Sequence, residues 1–215
     1  MTATFQTPAP IAITLDVISG GVTVIAADRS DTVVEIRPAD PAKKADVRAA
    51  ELTTVEFAAG VLTVRMPKQW RTYTPFGGNP SIEVSILAPT GSQLAGTAGV
   101  GRVLGAGELG RCDLEISAGD ITLERPQGSV TAKTAKGNIR IGEAARGEFR
   151  LETSYGELEV GIRPGSAAEL QVNALFGSVQ NLMQPVAQPH SDADVVRVYA
   201  RNAYGNVVIR HALAA

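Results

Sequence analysis

Apolar and polar residues alternate almost from the start of the chain. Ile11, Ile13, Leu15 and Val17 share one side, with Ala12, Thr14 and Asp16 on the other. Such alternation marks a strand buried on one face. A turn is expected at Ser19-Gly20-Gly21, and then a strand carrying Val22, Val24 and Ala26. Residues 32–37 give another strand, closed by Pro38. The segment DPAKKADVRAAE, residues 40–51, reads either as a short helix entered through Asp40 and Pro41 or as a solvated loop. Thr53, Val55 and Phe57 alternate, Ala59-Gly60 turns the chain, and Leu62, Val64 and Met66 alternate back, which predicts a hairpin. Residues 67–80 lack periodicity and hold Trp70, Tyr73 and Phe76. Ile82, Val84 and Ile86 resume as a strand that stops at Pro89-Thr90-Gly91.

Beyond Gly96 the pattern becomes metrical. Glycines stand at 101, 110, 119, 128 and 137, nine residues apart, and after one inserted residue at 147, 156 and 165. From Gly110 to Gly156 each opens a phrase with apolar residues two and four places on, such as Cys112 and Leu114 or Ile139 and Ile141. Nine residues suit a short strand plus a corner, and glycine lets backbones approach closely there. The half-units differ. Runs such as CDLEIS, VTAKT and FRLET carry a third inward residue, Ile116, Thr134 or Thr153.

Two half-units pair into a repeat, and repeats of this kind bury their faces only by stacking. The fold class expected is therefore all-β, a single-stranded β-solenoid (β-helix) with about eighteen residues per coil and an irregular N-terminal β portion. The rival is an antiparallel meander or sandwich, which has no reason to keep a constant metre. Residues 1–96 form the N-terminal β-rich portion, as early coils or a cap, and residues 97–215 the repeat region with a loop near 183–194. Stacking predicts two columns: Cys112, Val130 and Phe149 inside, and Gly119, Gly137 and Gly156 at one corner. Glu115, Lys133 and Glu152 should align outside, with Arg140 near Glu159. Val196 and Val198, then Val207 and Ile209, read as the last rungs.

Composition narrows the classes. Aromatics make up only 5%, and glycine occurs 22 times among mainly aliphatic apolar residues. The net charge of −2 is spread along the chain, which leaves no footprint for nucleic acid or an anionic membrane. One cysteine, Cys112, excludes an internal disulfide framework. Neither a signal peptide nor a membrane span is legible, so the cytoplasm is the default location, with the cell surface as the alternative.

The phrases AGDITL at 118–123, KGNIRI at 136–141 and YGELEV at 155–160, with FGSVQN at 176–181 and YGNVVI at 204–209 as looser copies, carry a resemblance. They are similar to the bacterial putative-adhesin domain family of unknown function, a set of β-solenoid proteins. The front portion, from IAITLDV through APTGS, resembles its actinobacterial branch. The resemblance implies a fold and an adhesin-like role, and it carries over no catalytic or binding residue.

Enzyme signatures are absent. The glycines are spaced for corners, not for a phosphate loop. His190 and His211 lack partners at metal-ligand spacing, and Cys112 reads as a small buried hydrophobe. His190 with Asp192 and Asp194 is the one weak metal grouping, and it reads as a solvated loop. The carboxylate pairs Glu157/Glu159 and Asp113/Glu115 fall on solvated strand faces, where alternation makes such pairs routinely. No catalytic residue, metal or cofactor is expected.

The candidate interface is aromatic: Trp70, Tyr73 and Phe76 in the aperiodic segment, and Tyr155, Phe176 and Tyr204 beside phrase glycines. The favoured reading of the last three is that they shield the end of the core. The leading function is a non-enzymatic structural or protein-interaction module, with a protein partner or self-association through the surface or an edge. A surface-associated adhesin for carbohydrate or envelope material comes second, and a carbohydrate-active enzyme third.

Overall fold

The computed structural model describes residues 1–67, 80–183 and 195–212. The fold is all-β, with a parallel sheet nearly closed into a barrel-like shape. In chain order the first elements are β1 (Thr2–Gln6), β2 (Ala12–Ala27), β3 (Asp31–Pro38) and helix α1 (Lys44–Leu52). They are followed by β4 (Thr54–Ala58), β5 (Val61–Arg65), β6 (Ile82–Pro89) and β7 (Gln93–Gly107). Next come β8 (Cys112–Ala118), β9 (Ile121–Leu123), β10 (Val130–Lys136), β11 (Ile139–Ala144), β12 (Gly147–Tyr155) and β13 (Leu158–Ile162). The last are β14 (Ala167–Phe176), β15 (Val179–Asn181), β16 (Val195–Tyr204) and β17 (Val207–His211).

These strands make two walls that share their corners. One wall runs β4–β5–β2–β7–β8–β10–β12–β16–β14. The other runs β1–β3–β6–β2–β7–β9–β11–β13–β17–β15. The inward residues of both walls form one buried cluster extending from Ile11 to Ile209. Val130 is in register with Cys112 on one side and Phe149 on the other, as the metre required.

The corner column is equally tight. A Cβ placed on Gly137 would lie 2.0 Å from the Gly119 carbonyl oxygen, and one on Gly156 2.0 Å from that of Gly137. Gly137 also holds a φ of +146°, so both its conformation and its surroundings exclude a side chain. The residue after each corner glycine explains the Asp/Asn preference of the phrases. The Asn138 backbone N–H donates to Asp120 Oδ1 at 2.7 Å, and the Glu157 N–H donates to Asn138 Oδ1 at 2.8 Å.

Three details differ from the linear reading. Ser19-Gly20-Gly21 is not a turn between strands but a bend inside β2, and the two halves of β2 pair with different neighbours. The helix exists but starts at Lys44, and Asp40 instead receives the Ala42 N–H at 2.9 Å ahead of it. The spatial order also departs from the chain order at both ends. β2 lies between β6 and β7, and the β16–β17 pair lies between β12–β13 and β14–β15. The rungs of Val198 and Ile209 are therefore last in sequence but not last in space.

The two ends are finished differently. At the N-terminal end, β1 and β4 are antiparallel additions, and Phe5 meets Phe57 across the core at 5.3 Å between ring centroids. Buried Asp46 ties α1 to this end by accepting the Ser81 N–H at 3.0 Å and the Asp40 N–H at 3.2 Å. At the other end, the inward residues of β14 (Ala168, Leu170, Val172 and Ala174) are only partly buried against the core. Among the described residues β14 pairs with β16 alone and β15 with β17 alone.

Candidate functional site: the open end and its aromatic row

Parallel register assembles a site at the open end that chain order alone does not show. Tyr155 of β12 is opposite Tyr204 of β16, and Tyr204 is opposite Phe176 of β14. The rings stack face to face, at 4.8 Å for Tyr155–Tyr204 and 4.9 Å for Phe176–Tyr204. They do not shield the core. Tyr155, Phe176 and Tyr204 are 55%, 58% and 45% exposed, so the row stands on the surface. Trp70, Tyr73 and Phe76 lie outside the described residues, as do His190, Asp192 and Asp194.

The outward rows beside the stack are polar. Glu152, Arg201 and Asn173 are in register across the same three strands. A cleft beside that row is lined by it together with Ser154, Ala203 and Leu175 and, from the inward register, Thr153 and Asn202; none of the three aromatic residues lines it. The cleft has a volume of about 240 Å³. Asn202 is 4% exposed. Its Nδ2 donates to the Gly156 carbonyl at 2.8 Å, while its Oδ1 finds no donor among the described residues. Farther along the same wall, the Arg150 guanidinium sits 5.0 Å above the Tyr199 ring.

Exposed apolar side chains gather at the same end: Leu175, Phe176, Val179 and Leu182. Sequence reasoning missed this clustering. Their chain positions carry no sign that β14–β15 forms the outermost pair among the described residues.

The carboxylate pairs stay on the solvated face. Glu159 receives Arg210 Nε at 2.6 Å and Arg140 Nε at 3.2 Å, which places the Arg140–Glu159 contact where stacking predicted it. Cys112 is fully buried, and burial pushes its thiol pKa up to about 12, so it stays protonated and non-nucleophilic near neutrality. No group of three metal-ligating side chains occurs among the described residues. Among those residues, no helix is long and apolar enough to cross a membrane.

The class these observations define is an all-β protein with a largely parallel sheet and one apolar end left partly uncovered by the described residues. No protein-family model matches the chain, and no curated protein matches it. Solved structures do match. A "putative cell adhesion protein" from Clostridium sporogenes superposes with a TM-score of 0.55 at 13% identity, covering 98% of this chain and 99% of that one. A "putative adhesin" from Bacteroides fragilis gives a TM-score of 0.46 at 13% identity over 97% and 96% of the two chains. At such identity the first likeness shows a shared fold.

Proposed function

We propose that this chain is a non-enzymatic interaction module that self-associates through the edge formed by β14 and β15, and that its two walls constitute a β-solenoid of about eighteen residues per coil. Register offsets of 18 residues between Cys112 and Val130 and 19 between Val130 and Phe149 support the coil length. One observation carries the functional reading. The Phe5–Phe57 end is capped, whereas among the described residues the β14 end leaves Leu170 and Val172 half-covered beside an unpaired edge.

Edge strands that must stay single are blunted by charge, proline or bulges. β14 and β15 together contain one charged residue, Glu169, and its partner Arg197 lies 2.9 Å away. An antiparallel pairing of two copies centred on Gln171 sets Leu170 against Val172 and Glu169 against Asn173. No like charges oppose each other, and both apolar rows stay inward. A second copy of the chain therefore fits this edge.

Sedimentation velocity over a range of concentrations tests the reading. A concentration-dependent dimer is expected, and Leu170→Lys should return it to monomer while circular dichroism retains the strand signal. A wild-type chain that stays monomeric throughout would refute self-association. The alternative, an envelope-associated adhesin, is separated by fractionation of the native protein: recovery from soluble cytoplasm alone would exclude it.

A further inference from the structure

We propose that Tyr155 and Tyr204 are a site of oxidative modification: one-electron oxidation joins them as a dityrosine, a covalent staple that holds β16 on β12. The two rings stack within 3° of parallel at 4.8 Å, and they are 55% and 45% exposed. They belong to neighbouring parallel strands and stand in register. Parallel register sends both side chains off the backbone in the same direction, so the phenolic ends lie side by side. Holding the partners together in this way replaces a slow encounter between radicals with a contact already made.

A haem peroxidase with hydrogen peroxide supplies the oxidant. Each tyrosine loses one electron and its phenolic proton, which leaves a phenoxyl radical with spin on the Cε carbons beside the oxygen. A Cε–Cε bond forms between the two radicals, and the hydrogen on each of those carbons moves to the phenolic oxygen. The chain loses two hydrogen atoms, and the O–O bond of the peroxide breaks as it is reduced to two waters. The product is a twisted biaryl, and rings about half open to solvent have room to turn into it.

Register also restricts the product. On its other side Tyr204 meets Phe176, stacked at 4.9 Å, and Tyr155 is in register with Lys136. Neither a phenyl ring without a hydroxyl nor an aliphatic ammonium yields a phenoxyl radical, so each tyrosine has the other as its coupling partner among the described residues. Tyr199 is in register with Arg150 and Gln171, and the Arg150 guanidinium lies over its ring. Cys112, a potential radical quencher, is fully buried. The link closes the segment carrying β13, β14 and β15 into a loop, which restricts the unfolded chain as a disulfide does. This inference does not depend on self-association, because both rings belong to one copy.

Treatment of the dilute full chain with a haem peroxidase and stoichiometric hydrogen peroxide provides the test. Blue dityrosine fluorescence and a monomer lighter by two hydrogen atoms are expected, and peptide mapping should place the bond between Tyr155 and Tyr204. Tyr155→Phe and Tyr204→Phe should each remove that product, whereas Tyr199→Phe should leave its yield within about twofold of wild type. Prior unfolding in urea should lower the yield about tenfold or more, because the ring contact is then lost. The purified linked chain should unfold at a higher urea midpoint than the untreated one. Absence of the bond, a bond mapped chiefly to Tyr73 or Tyr199, linkage chiefly between copies, or an equal yield from the unfolded chain would overturn the proposal. So would a midpoint that does not rise, since the link would then hold nothing in place.

Discussion

The Asn202 side-chain amide donates to the Gly156 carbonyl at 2.8 Å, joining the β16 wall to the corner of the preceding rung. Thr153 does the same for Gly137 at 2.9 Å and Thr134 for Gly119 at 3.2 Å. Each corner carbonyl points at the Cα of the next glycine, and a polar side chain from the adjoining strand provides its conventional hydrogen bond. In β14 the corresponding position is Ala174, opposite Asn202. A β14 strand docked directly on β12 would leave the Gly156 oxygen without that donor. This gives a physical reason for the inserted position of β16–β17.

Asn202→Ala should lower stability by about 1–3 kcal/mol, the cost of leaving a buried acceptor unpaired. Asn202→Thr should recover a large part of that loss, since a threonine hydroxyl serves the two preceding corners. Equilibrium urea unfolding of the two variants decides it, and equal losses would show that the hydrogen bond is not the cause.

Gly137→Ala should cost at least about 3 kcal/mol or abolish folding, because overpacking and left-handed strain add. Gly60 also has positive φ, +76°, but nothing lies within 4 Å of a Cβ built there. Gly60→Ala should therefore show only the conformational penalty, about 1–2 kcal/mol. Comparison of their urea midpoints separates crowding at the corner from backbone strain.

Phe149 is fully buried between Val130 and Val198. Phe149→Ala should destabilise by about 3–5 kcal/mol, through lost burial plus the cavity left behind. Because β12 is the strand on which β16 docks, hydrogen exchange should speed up across β16 as well as β12. Acceleration confined to β12 would show that the two strands open independently.

Cys112 predicts an alkaline limit. Its thiol is held up to about 12 from the ordinary 9.0 by burial, so below about pH 9 both folded and unfolded chains keep the proton. Above that the unfolded chain ionises first, and stability falls by about 1.4 kcal/mol per pH unit until the folded thiol also titrates. Cys112→Val, matching Val130 in the same column, should remove this part of the slope in urea unfolding between pH 8 and 11. The native thiol should also resist iodoacetamide at neutral pH and react once the chain is unfolded.

What the linear chain determined is local. The nine-residue metre encodes a strand of alternating faces and a glycine corner, so Cys112, Val130 and Phe149 could be aligned by interval alone, as could Gly119, Gly137 and Gly156. The hairpin of β4 and β5 was legible for the same reason: its two strands are joined by a tight turn.

Tertiary structure decided the order of the rungs. Whether Gly20 bends one strand or separates two depends on β5, β6 and β7, which lie far along the chain. The place of β16 depends on a match between Asn202 and Gly156, 46 residues apart. That order puts Tyr204 between Tyr155 and Phe176 and leaves β14 outermost among the described residues, which turns residues read as core shields into an exposed stack. Alternation specifies which face of a strand turns inward. It says nothing about which strand lies alongside, because similar apolar rows would pack acceptably in several orders and only a few polar contacts at the corners distinguish them.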